Sequence, residues 1–372
     1  MRVTYFAHDL SDASVAKRIR MLRLGGATVS VIGFRRTPAP ILEIEGIAAV
    51  DLGRTFDGRL VARCKMVIHR SAWPKALIPC ISTADVVVAR NLEMLTIAYA
   101  AHRKARSRAS LVYECLDVHN IMLGSGLPSR LLRRWESSLL QRASALVISS
   151  EGFLNHYFHP MAYQLPQVLV VENKRILPGI DGPRPERRRR PGQPPWRIGW
   201  FGILRCATSF QLLLELATTH PTLVDIELRG RPAQDVQTLI ARHLPLGNMR
   251  FGGPYAPSDL EVIYQGCDFV WAIDYYQAGQ NSEWLLPNRI YEGSFYNVPA
   301  IALRNTETAR WLQRRTAGMN VADPGSDLPQ FLKTLSTARY DDMQRAVADI
   351  PLSDLVHSAD ECRALINRML GA

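Results

Sequence analysis

The residues with the most chemical content stand in one short segment, "NSEWLLPNRIYEGSFYNVPAI" (281–301). Pro287 suits a first helical turn, where a fixed φ and a missing N–H cost little. Asn288 and Arg289 then lie near the positive helix end, and Glu292 comes one turn on. A carboxylate there can accept hydrogen bonds from two vicinal hydroxyls, as on a ribose. A capped surface helix with an Arg–Glu pair would carry the same residues. A second segment, "IGWFGILRCATS" (198–209), predicts a strand ending at Gly202, a short loop with Arg205, and Ser209 as helix N-cap. Amides at such a helix start, with the Arg205 guanidinium, suit a pyrophosphate. An ordinary strand–helix turn with a surface arginine reads alike. Proton acceptors stand after two other expected strands: His8 and Asp9 in "YFAHDLSD", and Asp117 and His119 in "YECLDVHN". Either pair could take a proton from a hydroxyl, or only cap a loop.

Such residues need a scaffold that brings strand ends together. Apolar runs alternate with helical patterns: "VTYFA" (3–7), "TVSVIGF", "DVVVAR" (85–90), "SLVYECL" (110–116) and "ALVISSE" are separated by stretches such as "ASVAKRIRMLRLGG" and "SRLLRRWESSLLQRA". Fully apolar strands between helices indicate a parallel sheet covered on both faces. The rhythm stops at "LPGIDGPRPERRRRPGQPPW" (177–196), a basic Pro/Gly-rich linker. It restarts with "WRIGWFG", "VDIELRG", "MRFGG", "DFVWAID" and "VPAIAL". The expected architecture is α/β, two tandem Rossmann-like doubly wound domains, 1–176 and 197–350, facing a central cleft. A C-terminal helix within 351–372 could cross back to the first domain. Ligands of such sheets bind outside the carboxyl ends of the strands.

Bulk properties bound the function. The 372 residues, 47% hydrophobic, suffice for two cores, and the net charge is 45 − 34 = +11. Such an excess favours an anionic partner. The six cysteines are scattered without a CxxC pair, which fits a reducing compartment and neither a disulfide framework nor a zinc site. His156 and His159 also lack metal-site spacing. "MRVTYFAHD" lacks a signal-peptide layout, and no apolar run approaches ~18 residues. The expected location is cytoplasmic, peripherally associated with the inner membrane.

"RIGWFGILR", "MRFGGPYAPSDLEVIYQGCDFVWAID" and "NSEWLLPNRIYEGSFYNVPAIAL" resemble the donor-binding domain of GT-B glycosyltransferases, and "ASALVISSEGF" looks like the last strand of the acceptor domain. The likeness is to bacterial exopolysaccharide transferases of the succinoglycan type and covers nearly the whole chain. It implies sugar transfer from a nucleotide-sugar donor, UDP-linked, to a lipid-linked saccharide. By the same resemblance Glu292 holds the donor ribose, and Gly202 and Arg205 hold the diphosphate with Arg289 as second cation. Tyr255 lies by the base, while Asp274, Asn281 and Ser282 face the sugar. Many retaining relatives carry a second Glu eight positions before the ribose Glu. Here Trp284 stands there and Glu283 is one off, which favours inversion. An inverting transfer needs a general base, with Asp117, His119 and Asp9 as candidates. Arginines can stabilise the leaving diphosphate, and no DxD cluster suggests a metal, so no cofactor is expected.

Two basic segments remain. "SRLLRRWESSLLQR" (129–142) puts Leu131, Trp135 and Leu139 on one stripe beside arginines, predicting a core-packing helix. A surface helix on anionic lipid is the alternative. "RPERRRR" could also track lipid headgroups. No nucleic-acid motif is present. Rival functions with the same donor site are a nucleotide-sugar epimerase and a non-catalytic sugar-nucleotide-binding protein.

Overall fold

The structure is a computed structural model that describes residues 1–56, 60–176, 184–185 and 192–371. The chain forms two compact units, Met1–Glu172 with His357–Ala372, and Asn173–Val356. Most of the basic segment 177–196, including 187–190, lies outside the described residues. Two of its described residues are tied to the rest of the second unit. Arg184 Nη1 donates to the carbonyls of Val347 and Ala348, and Thr337 Oγ1 donates to that of Gly192.

The first unit holds strands β1 (Arg2–Ala7), β2 (Thr28–Arg35), β3 (Glu43–Ile44), β4 (Ile47–Arg54), β5 (Val86–Arg90), β6 (Ser110–Cys115), β7 (Ala145–Ile148) and β8 (Gln167–Val170). They form one sheet in the order β3-β4-β2-β1-β5-β6-β7-β8. All pairings are parallel except the β3–β4 hairpin. Every residue of β5 is buried, and so is β1 from Val3 on, as expected of strands covered on both faces. Helices α1 (Ala13–Leu24), α2 (Leu60–Ala72), α3 (Asn91–Ala105) and α4 (Leu127–Leu140) cover the sheet, α2 packing on α3 and α3 on α4. The hairpin and β8 carry no alternation in sequence. β3 and β8 are short edge strands, and β4, eight residues long between β3 and β2, is mostly exposed or half exposed, so none of the three was expected.

Four buried side chains lock β1, α1, β5 and β6 together. The Glu114 carboxylate accepts from Arg18 Nε at 2.5 Å, Arg90 Nε at 2.7 Å and the Tyr5 hydroxyl at 2.6 Å. Burial alone would raise its pKa. The guanidinium charges of Arg18 and Arg90 outweigh that and hold it down at about 2.

The second unit holds β9 (Trp196–Leu204), β10 (Val224–Pro232), β11 (Met249–Phe251), β12 (Phe269–Trp271), β13 (Ala300–Leu303) and β14 (Gly318–Val321). All are parallel, in the order β11-β10-β9-β12-β13-β14. Along β9, Trp196, Ile198 and Trp200 enter one core and Phe201 the other, the period of two expected of a strand. Strand order reverses between β9 and β12, the switch point where open α/β sheets bind ligands.

Candidate active site

The carboxyl end of β9 is shaped by glycines. Gly202 has φ +105°, and its partner across β10, Gly230, has φ +133°. A Cβ on Gly230 would lie 1.8 Å from the Gly202 carbonyl oxygen, so only glycine allows this approach. The strand continues to Leu204, and Arg205 follows at once. Helix α5 (Ala207–Thr219) begins one turn earlier than its sequence suggests. Cys206, not Ser209, caps it: the Cys206 sulfur accepts from the Ser209 amide at 3.3 Å and from the Tyr275 amide at 3.2 Å. Ser209 is buried instead and donates to the Ile273 carbonyl. This ties α5 to the loop after β12, across the switch point.

That loop carries Asp274. Its Oδ2 lies 3.1 Å from Arg205 Nη2, its Oδ1 accepts the Tyr276 amide, and the Arg205 guanidinium sits 4.8 Å from the Tyr276 ring centre. The expected diphosphate cation and the expected sugar-facing carboxylate are thus ion-paired. Further on, Gln277 braces the loop. Its side-chain oxygen accepts from Asn281 Nδ2, and its amide donates to Ser282 Oγ. Asn281 and Ser282 are both buried in this bracing. Glu283 accepts the Gly279 amide at 2.6 Å and belongs to the same brace, while Trp284 is buried.

Helix α8, counting α6 (Leu260–Gln265) and α7 (Asn281–Trp284) before it, runs Asn288–Phe295, with Pro287 as its N-cap. Asn288 is exposed at its start. Arg289 and Glu292 do not pair with each other. Arg289 Nη1 donates to the Trp271 carbonyl at the end of β12, at 3.2 Å. Burial lowers the Arg289 pKa, opposed by the nearby Asp274 carboxylate. Glu292 Oε2 accepts from the Tyr264 hydroxyl at 2.6 Å. Tyr264 is fully buried, edge-on to Phe201 and stacked on Tyr296. Burial raises the Tyr264 and Tyr255 hydroxyls, and the Glu292 charge adds to both shifts. Gly202, Arg205, Tyr255, Asp274, Arg289 and Glu292 therefore gather at one switch point. Two cations, a held carboxylate and an aromatic hydroxyl can together bind a diphosphate joined to a diol.

The first unit also has its candidates at strand ends. Asp9 is engaged: its Oδ1 accepts from the Ser11 amide at 3.0 Å and hydroxyl at 2.6 Å, and its Oδ2 lies 3.5 Å from Arg36 Nε. Next to it, His8 Nε2 lies 3.4 Å from Asp12 Oδ2, and His8 Nδ1 is buried with no hydrogen-bond partner. Burial would raise the Asp12 carboxyl. The hydrogen bond and charge of His8 and the Ser14 amide outweigh it and hold Asp12 well below the usual carboxylate range. Asp117 and His119 are exposed beyond β6. His119 caps the turn Asn120–Leu123, its Nδ1 accepting from the Ile121 amide at 3.3 Å.

No protein-family model matches the chain. It is 38% identical over 380 residues to the succinoglycan biosynthesis protein ExoL of Rhizobium meliloti (strain 1021), covering 99% of this chain and 93% of ExoL. The chain belongs to the ExoL family. It has the GT-B fold. Anabaena HepE, solved in complex with UDP and glucose, superposes with a TM-score of 0.69 at 15% identity over 100% of both chains. Sucrose-phosphate synthase of Thermosynechococcus elongatus superposes with a TM-score of 0.72 at 11% identity, covering 99% of this chain and 98% of that one.

Two residues, one beside the candidates of each unit of this ExoL-family chain, were not legible in advance. Tyr264 lies in "SDLEVIYQG" and reads as a core aromatic, because its partner Glu292 is 28 residues away. Asp12 reads only as the N-cap of α1, which it also is. No local signal distinguishes a cap that also holds a histidine.

Proposed function

We propose that this ExoL-family chain transfers a sugar from a UDP-linked donor to a lipid-linked saccharide during exopolysaccharide assembly, with inversion and without a metal. The observation that carries it is Glu292, held by Tyr264 beside Arg289 and Arg205 at the switch point of the second unit. UDP in the HepE complex supports the choice of nucleotide. In the reaction an acceptor hydroxyl oxygen bonds to the sugar's anomeric carbon as the bond to the diphosphate breaks. The acceptor proton goes to a base, and the arginines meet the charge left on the diphosphate. Trp284 in place of a second glutamate supports inversion.

The base is read as Asp117, with His119 beside it, at the end of β6. Its loss would lower kcat by about 10²–10⁴-fold with UDP binding unchanged. A second reading has its own observation. His8 follows β1, where strand order reverses between β1 and β5, and Asp12 is held ionised beside it. With Nε2–H directed at Asp12, Nδ1 is the nitrogen able to accept a proton. The test measures kcat and UDP affinity for Asp117→Asn, His119→Ala and His8→Ala. Loss confined to Asp117→Asn supports the first reading, and loss confined to His8→Ala the second. Normal turnover in all three removes the inverting mechanism drawn here. Product analysis with donor alone detects an epimerase, and UDP binding without turnover on any acceptor identifies a non-catalytic binding protein.

A further inference from the structure

Helix α4 has its polarity reversed. Its buried positions include Ser129 and Glu136 beside Leu139 and Leu140. Leu127, Leu131 and Trp135 are instead 66%, 59% and 41% exposed. The core-packing role expected for Leu131 and Trp135 is thus overturned, and only Leu139 of that stripe faces inward. The reason lies in partners from other elements. The hydroxyls of Tyr113 and Tyr157 both donate to Glu136, and Arg133 Nη1 donates to the carbonyls of Met122 and Gly124. These bonds set the rotation of the helix about its axis and hold Leu127, Leu131 and Trp135 outward. Residues four apart share one stripe.

The stripe has a basic rim. Arg130, Arg134 and Arg142 are exposed, as are Arg103, Lys104, Arg106 and Arg108 around the end of α3. The guanidiniums of Arg103 and Arg142 lie 5.9 and 5.6 Å from the centre of the same Tyr99 ring, which joins the two groups. None of these cations pairs with a carboxylate among the described residues. The only acid on α4 is the buried Glu136, and the one on α3, Glu93, pairs with Arg63.

We propose that this face of α4 lies flat on an anionic lipid bilayer. Exposed leucines and a tryptophan inside a ring of arginines match a headgroup layer, where apolar side chains enter and cations meet phosphate. A second copy of the chain would set one row of arginines against another. A nucleic acid would use the cations but leave the leucines in water. At about 21 Å the helix has the length of a surface anchor, and no helix among the described residues is long and apolar enough to cross a membrane. The attachment goes beyond the transfer reaction and is read without donor or acceptor.

The test is flotation of the intact chain with vesicles of phosphatidylcholine alone or mixed with phosphatidylglycerol. Binding is expected on the mixed vesicles only, with release as salt rises. Leu127→Ser with Leu131→Ser lowers that binding about tenfold or more, since two inserted side chains are lost. Both positions are exposed, so circular dichroism and Tm stay unchanged. Arg130→Gln with Arg134→Gln costs about fivefold per arginine and flattens the salt dependence. Unchanged binding in the leucine variant overturns the proposal, as does equal binding to neutral vesicles. So does a solution oligomer that the leucine variant dissociates while vesicle binding persists. Heparin binding that falls in parallel with vesicle binding in the leucine variant would mark a soluble polyanion as the partner and overturn it as well.

Discussion

Arg289 and Glu292 stand three residues apart on one short helix and serve different partners, the end of β12 and the Tyr264 hydroxyl. A helix stabilised by its own surface ion pair would have joined them. Glu292→Gln keeps shape and removes charge, so UDP affinity measured by calorimetry falls by ~1.5–3 kcal/mol with the fold intact. Tyr264→Phe removes the hydrogen bond that fixes the carboxylate. The two substitutions couple by at least ~0.5 kcal/mol in a double-mutant cycle; strict additivity would separate Tyr264 from the ribose contact. Arg205→Ala and Arg289→Ala each weaken UDP and leave uridine, which has no diphosphate, unaffected. Parallel losses for both ligands would mean that the arginines act through the fold, for instance by releasing Asp274 or the Trp271 carbonyl.

Among the elements, two buried carboxylates in one unit depend on pH in opposite senses. Glu114 of β6 has its folded pKa lowered to about 2, against roughly 4.3 for an unfolded glutamate. Its contribution to stability is present above ~4.3 and is lost as pH falls toward 2. Glu136 of α4 has its folded pKa raised, burial outweighing the hydrogen bonds of Tyr157 and Tyr113. Its protonated form supports the fold fully below ~4.3, and that support fades as pH rises through the folded pKa. Glu136→Gln is permanently neutral and still reaches both tyrosines. Its Tm relative to the parent therefore improves from pH 4 to pH 8, and a constant difference across that range would show that folding does not raise the Glu136 pKa. Glu114→Gln behaves differently. It leaves Arg18 and Arg90 buried beside an uncharged partner and costs about 3–5 kcal/mol near neutral pH, read by denaturant titration.

At the scale of the whole molecule, the chain leaves the first unit at Glu172 and returns to it at His357. The last helix, α9 (Ala359–Leu370), buries Cys362, Leu365, Ile366 and Met369 and packs on α1 and β6. A Cβ on Gly25, at the end of α1, would lie 2.6 Å from Ile366 Cδ1, so the two helices approach closely. Stopping the chain after Val356 exposes this apolar surface of the first unit and leaves the second unit's sheet whole. Calorimetry of the truncated chain then shows a lowered transition for the first unit and UDP-dependent stabilisation of the second unchanged. Loss of UDP binding would mean that the second unit does not stand without the tail.

The parallel strands were legible because strands buried on both faces are written as unbroken apolar runs, such as "VVVAR" and "FVWAI". The donor cluster was legible for a related reason. Switch-point chemistry sits just past strand ends, so Arg205, Asp274 and Asn288–Glu292 follow their strands or open a helix within a few residues. The short β14 "GMNV", three of its four residues half exposed, left no such pattern. What the linear order could not carry are the partners. Cys206 displaced Ser209 as a cap because the Tyr275 amide, 69 residues on, shares its sulfur. Tyr264 acquired its role from Glu292, and α4 took its rotation from Tyr113 and Tyr157. Periodicity shows that a helix has a stripe. Which stripe turns inward is decided by the hydrogen bonds a buried carboxylate must find, and those come from side chains that only the folded chain brings near.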